Sequence, residues 1–173
     1  MNNAKYYASI LLMGCAFYAS LIKAADITMN FNATVVASPC TVDTNTVNRT
    51  VLLGQGRASE MQAAGAGTEW VDFDLRLTTC PAATISATAT FSGTADDDDA
   101  SAFKNTADAK GIALRLASRD HATTYQNNST LMQTIDTSTH TATFPLSARM
   151  FTPKGQPGAG KFAAAVNVSF TYQ

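Results

Sequence analysis

The first thing this sequence lacks is a set of metal ligands. Its 173 residues include two histidines, His121 and His140, and three cysteines, none in a CxxC pair. A tetrahedral site needs four such ligands in clustered spacing, so no metal is expected. Charge of one sign is lacking too. Twelve cations face thirteen carboxylates, and no basic stripe is present to neutralise phosphates, so nucleic acid is not an expected partner. Catalytic signatures are also missing: there is no GxSxG, no HExxH and no glycine loop to cradle a phosphate. An enzyme is therefore not expected, and neither a catalytic residue nor a cofactor is assigned. Asp72 and Asp74 share one strand face and formally make an acid–base pair, but an ordinary wet strand face accounts for them better. The run Asp96–Asp99 lacks the spaced oxygen ligands and the glycine of a calcium loop, and reads as a solvated loop tip.

A membrane-spanning run is absent as well. The apolar stretch Ile10–Ile22 is too short to cross a bilayer. Lys5 ahead of it and the small Ala24 behind it predict a signal peptide over residues 1–24. Its removal leaves 149 of the 173 residues, with ten cations against thirteen carboxylates and a net charge of −3. That length suits one domain with a sizeable core. Cys15 leaves with the signal. Cys40 and Cys80 remain, and an even pair in an exported chain reads as one disulfide. The chain-entropy estimate for its loop is about 3–4 kcal/mol.

What the sequence does contain is a period of two. From Gly160 to Gln173, Phe162, Ala164, Val166, Val168, Phe170 and Tyr172 fall on one parity, with mostly small or polar residues on the other. This predicts a strand with one buried face and an outer edge that needs a partner. Residues 25–38 repeat the pattern: Ile27, Met29, Phe31, Ala33 and Val35 alternate with Asp26, Thr28, Asn30, Asn32 and Thr34. Pro39 lacks an N–H and should break that ladder. Between the two, Val47, Val51 and Leu53 alternate into the turn Gly54-Gln55-Gly56, and residues 57–68 read as a long connection. Val71 to Leu77 is a strand that delivers Cys80 to its end, with Trp70 as a core or rim aromatic. Ile85 to Phe91, Ile112 to Leu116, Leu131 to Ile135 and Ala142 to Met150 are further strands. Pro153 to Gly158 is turn chemistry. No 3.6-residue period occurs outside the signal, and evenly spaced short strands argue an all-β, immunoglobulin-like sandwich.

Several of these stretches together resemble the chaperone–usher pilins of the type 1 fimbrial family, most nearly their minor adaptor subunits. They are ADITMNFNATVVASPCTV around the first cysteine, LRLTTCP around the second, FSG at 91–93, FKN at 103–105, GIALRL at 111–116, and Gly160 with Tyr172 near the C-terminus. The resemblance implies an incomplete immunoglobulin-like fold of six strands, lacking its seventh, over residues 39–173. It implies that residues 25–38 are a donor strand, with Ile27, Met29, Phe31, Ala33 and Val35 inserted into a neighbouring subunit's groove. It implies that Gly160, Phe162, Val166, Val168, Phe170 and Tyr172 form the strand that meets a periplasmic chaperone and lines this subunit's own groove. The implied partners are neighbouring pilin subunits, the chaperone and an outer-membrane usher. The implied location is a fimbrium on the bacterial surface, reached through the periplasm. A major rod pilin and a single-domain glycan-binding adhesin are the alternatives. One residue departs from the pattern: Ala33 stands where family donor strands often carry glycine, so the receiving pocket must accept a methyl group. Overpacking of that kind costs about 1–3 kcal/mol.

Overall fold

The computed structural model describes residues 39–47 and 49–173. The chain divides into two units, Met1–Thr34 and Val35–Gln173, and every described residue belongs to the second. The expected signal and the expected donor residues Ile27 to Val35 lie outside the described residues.

The first strands are β1 (Thr41–Val42), β2 (Val71–Thr78) and β3 (Ser86–Ser92). They are followed by β4 (Phe103–Lys104), β5 (Ala113–Ser118) and β6 (Thr124–Tyr125). The last are β7 (Thr130–Thr134), β8 (Ala142–Phe151) and β9 (Asn167–Tyr172). Six of these have five residues or more, and the other three are two-residue pieces. A single 3-10 turn, Ala58–Glu60, interrupts the long connection before β2.

Two antiparallel sheets face each other. One has the order β1-β2-β8-β5-β4, with β6 also on β5, and the other has the order β7-β3-β9. Alternation explains which side chains meet. Leu75 and Leu77 of β2, Leu114 and Leu116 of β5, and Phe144 and Leu146 of β8 are buried, and they join Ala87, Ala89 and Phe91 of β3 in one core. The Phe91 ring packs tilted against Tyr125, centroids 5.1 Å apart, and alanine at the other two buried β3 positions keeps that face small, because a dry core tolerates little surplus volume. Cys40 and Cys80 are bonded to each other. The pairing of Thr41 with Thr78 places them side by side at one end of the first sheet.

Three features differ from the sequence reading. Ile85 shares the parity of the buried β3 residues, yet it is 65% exposed. It precedes the ladder: its N–H donates to Gln173 and its carbonyl accepts from Ile135, so its backbone is held while its side chain points out. Asp96 to Asp99 are a loop tip with Asp97 and Asp98 exposed, as expected, but its carboxylates are paired rather than free. Asp97 meets Lys104, Asp98 meets Lys154 and Asp99 meets Arg115, at 2.6, 2.6 and 2.7 Å, and Asp96 accepts the N–H groups of Asp98 and Asp99. Partial burial alone would push the Asp99 carboxyl up, but hydrogen bonds from Ser101 and the Arg115 guanidinium outweigh it and hold the group low. Trp70 proves to be a rim aromatic, stacked on His121 with Arg149 over its ring.

The third difference positions the site. The period of two runs from Lys161 to Gln173 in burial as it does in sequence, but only Asn167–Tyr172 pairs with β3. Residues 161–166 leave that sheet. The loop after β4 takes over as their neighbour: Thr106 N–H donates to the carbonyl of Ala163 and Ala109 N–H to that of Lys161, while Asn105 Oδ1 accepts the N–H of Ala163. Where the chain changes neighbours, a Cβ on Gly93 would lie 2.9 Å from the carbonyl oxygen of Ala165.

Candidate functional site

The site is an edge with a groove beside it. Ser86 and Gln173 exchange both of their backbone hydrogen bonds. In an antiparallel ladder such pairs alternate, so Thr171, Ser169 and Asn167 also turn their backbone groups toward β3. Val168, Phe170 and Tyr172 therefore turn theirs the other way. The same parity holds upstream, where the loop after β4 engages Lys161 and Ala163. Phe162, Ala164 and Val166 present their N–H and C=O groups on the outer side. Among the described residues no strand pairs with this edge. An unpaired edge of this length is a template for another strand.

The side chains on that parity are Phe162, Ala164, Val166, Val168, Phe170 and Tyr172. All six are half-buried and pack against the core. Beside them runs a groove of about 1430 Å³. Residues 49–56 form its far wall, and its floor includes Phe73, Leu75, Leu114, Leu116, Leu146 and Met150. The floor is thus the inner face of the first sheet, seen through a gap in the second. Of the predicted residues, Gly160, Phe162, Val166, Val168 and Phe170 line the groove, whereas Tyr172 does not. Tyr172 sits opposite Ala87 at the end of β9, and burial pushes its phenol pKa up.

Gly160 has a specific reason to be glycine. A Cβ there would lie 2.6 Å from the backbone nitrogen of Ala109. The close approach is what lets Ala109 reach the carbonyl of Lys161. Asn105 was not singled out for this role in the sequence. Its carboxamide accepts the N–H groups of Ala107 and Ala163 and donates to the carbonyl of Ala109. An asparagine that bonds the backbone two residues on is the signal available from sequence, but its second partner, 58 residues away, is visible only in the fold.

A smaller polar cleft adjoins the groove and is lined by Asp43, Asp72, Asp74, Arg76 and Arg119 among others. Arg119 bonds Asp74 at 2.7 Å and lies 3.9 Å from Asp72, and Asp72 accepts from the Ser147 hydroxyl. The two carboxylates are bound by a cation on a wet face, as an ordinary strand surface would hold them.

The architecture defines an immunoglobulin-like β-sandwich with one edge and the apolar groove beside it left open. The family model for fimbrial proteins matches residues 29–173, and the chain belongs to the fimbrial protein family. It is 38% identical to protein FimG of Escherichia coli K12 over 157 residues, 91% of each chain. It is 34% identical to the S-fimbrial adhesin protein SfaS of a uropathogenic E. coli strain, over 93% of each chain. In structure it is similar to the P pilus rod subunit PapA, with a TM-score of 0.67 at 16% identity, over 79% of this chain and 100% of that one. Its relatives are structural fimbrial proteins, and this chain is a structural subunit of a surface fimbria.

Proposed function

We propose that this subunit is assembled by donor-strand exchange, without catalysis, as a minor adaptor between other subunits of the fibre. Residues 25–38 are the strand it gives, and the groove beside Phe162 to Tyr172 is where it receives one. The observation that carries this reading is the outer edge of β9 and of the segment before it: backbone groups on six alternate residues lie open beside an apolar channel. Water satisfies such groups poorly in an apolar cleft, and a strand satisfies them in full. Inserting a strand with the pattern of Ile27, Met29, Phe31 and Val35 contributes about 6–12 kcal/mol at most, from roughly 1.5–3 per side chain. A small domain is stable by about 5–15 kcal/mol in total, so the strand is part of the fold even though another chain provides it.

In this scheme residues 1–24 are the export signal and residues 39–173 the pilin domain. A periplasmic chaperone fills the groove first, and a neighbouring subunit's strand replaces it at the outer-membrane usher. The adaptor position rests on the likeness of ADITMNFNATVVASPCTV to adaptor donor strands. The identity with the adhesin protein SfaS favours a second reading, a single-domain adhesin. Copy number and position separate these roles. Quantitative mass spectrometry of sheared fibres should find a few copies per fibre. Hundreds of copies would make it a rod subunit. Glycan binding by the isolated subunit would make it an adhesin. For the exchange itself, the chain should accumulate as a one-to-one complex in cells carrying the matching chaperone and be degraded in cells without it. A stable free monomer in both would remove the reading.

A further inference from the structure

The second sheet has another open edge, on the far side from the groove. β3 lies between β7 and β9, and among the described residues β7 pairs with β3 alone. The N–H of Ile135 donates to the carbonyl of Ile85, and that of Phe91 to the carbonyl of Ser129. Pairs alternate in an antiparallel ladder, so the odd-numbered residues of this stretch face β3. Thr130, Met132 and Thr134 turn their N–H and C=O groups the other way, where no described residue meets them.

Exposed edges are commonly blunted by lysine, proline or an inward charge, and β7 carries none of these. No lysine, arginine, aspartate or glutamate occurs between Asp120 and Asp136, and Asp136 turns its carboxylate to Ser138 and Thr139. On the outer face of the sheet the neighbours of β7 are Ser86, Thr88 and Thr90, again uncharged. Met132, in the middle of the edge, is 63% exposed.

The edge also fits itself. Thr130-Leu131-Met132-Gln133-Thr134 is nearly symmetric about Met132. Set antiparallel against a second copy, Met132 meets Met132 and each Thr130 meets a Thr134. Every outward-turned residue of one copy then faces an outward-turned residue of the other, and such pairs exchange both of their backbone hydrogen bonds. A shift of two residues would leave one of the three unmatched, and a shift of one would set outward-turned residues against inward-turned ones. The threonine pairs and the methionine pair add side-chain contact across the two strands.

We propose that β7 is a self-pairing edge, at which two copies of this chain join antiparallel about a two-fold axis and their second sheets run on as one. Two strands of five residues laid side by side bury far less than the roughly 1,200 Å² of a stable interface, so single copies join weakly. Fibres lying alongside one another raise the effective concentration of the two edges, and the contact is therefore one between fibres. It does not depend on the groove, because β7 and β9 are opposite edges of the sheet.

The test uses whole fibres sheared from cells, with dimers read on a non-reducing blot after mild oxidation. Met132→Cys should give a disulfide-linked dimer of this subunit, since the Cα atoms of such a facing pair lie about 5.5 Å apart. Thr171→Cys, exposed on the same face but on β9, should not. Fibres carrying Thr130→Cys, mixed with fibres carrying Thr134→Cys, should cross-link to each other, and neither should cross-link to itself. Added to Met132→Cys, the pair Thr130→Lys/Thr134→Lys should abolish the dimer by setting lysine against lysine, and Thr130→Asp/Thr134→Lys should restore it by setting carboxylate against ammonium. Mass spectrometry of the fibres establishes that each variant is incorporated; if Met132→Cys is not, the mixed threonine variants read the same contact. No dimer from incorporated variants, an equal yield from Thr171→Cys, or self-linking of Thr130→Cys as strong as its linking to Thr134→Cys would overturn the pairing while leaving the strand-acceptor reading of the groove intact.

Discussion

β8 and β9 obey the same period of two and end in opposite conditions. β8 runs for ten residues between β2 and β5, with a partner on each edge. Its Phe144 and Leu146 are fully buried. β9 runs for six residues with β3 on one edge only, and its apolar side chains stop at half burial. The inward residues of the two strands even touch, with the rings of Phe144 and Phe170 5.3 Å apart. Alternation therefore specifies that a strand has a buried face, but not whether its own chain supplies the cover. In β8 the chain finishes the work, whereas among the described residues nothing pairs with the outer edge of β9.

Breaking the closed side should do the most damage. Phe144→Ala should destabilise the subunit by about 3–5 kcal/mol, whether or not a strand occupies the groove; thermal melts with and without bound strand check this. Replacing Cys40 and Cys80 together by serine should cost about 4 kcal/mol in either state, from the loop the bond closes. Phe170→Ala sharpens the contrast because its cost should depend on occupancy. It should be about 1–2 kcal/mol in the empty subunit, where the ring is half-covered, and rise toward the Phe144 value when a strand covers it. A double-mutant cycle between residue 170 and the strand would measure the difference. Asn105→Ala should cost about 0.5–1.5 kcal/mol by removing the carboxamide's bond to the exposed N–H of Ala163, and hydrogen exchange should quicken at residues 161–166 but not in β9.

The smallest effect lies in the turn before β8, away from the groove. Asp136 accepts from Ser138 and from the N–H groups of Ser138 and Thr139. The Ser138 hydroxyl first, then those N–H groups, hold its carboxyl at about 2 against an ordinary 3.8. A depressed carboxylate pKa adds stability above the unfolded value, and that stability is lost as pH falls through the folded one. Asp136→Asn should therefore flatten the pH dependence of melting between about pH 4 and 2, equally for the empty and filled subunit. A difference between the two states would mean that the turn and the groove are coupled.

Much of this was legible in the sequence. The strands, the Cys40–Cys80 pair and the one-sided pattern of Phe162 to Tyr172 follow from alternation, compartment and parity. Three things were not legible, each for a reason of distance. The period of two does not reveal that residues 161–166 change neighbours, because both neighbours ask for the same alternation. Asn105 looks like any turn residue until Ala163 is brought to it. The acidic run 96–99 reads as solvated because its cations, Lys104, Arg115 and Lys154, come from three separate parts of the chain. Ile85 shows the converse error: it has the right parity for the core but sits just outside the ladder that would turn it inward.

The most direct test of the incomplete fold is to move the strand. One protein keeps the exported order, residues 25–173. The other begins at residue 39 and carries residues 25–38 after Gln173 through a short flexible linker. Thermal melting and sedimentation of both, purified from the periplasm without chaperone, decide the matter. The rearranged chain should be a monomer with a sharp, raised melting transition, while the native order should aggregate or be degraded. A native-order chain that is itself a stable monomer, with its N-terminal segment protected from protease and no gain on rearrangement, would contradict it.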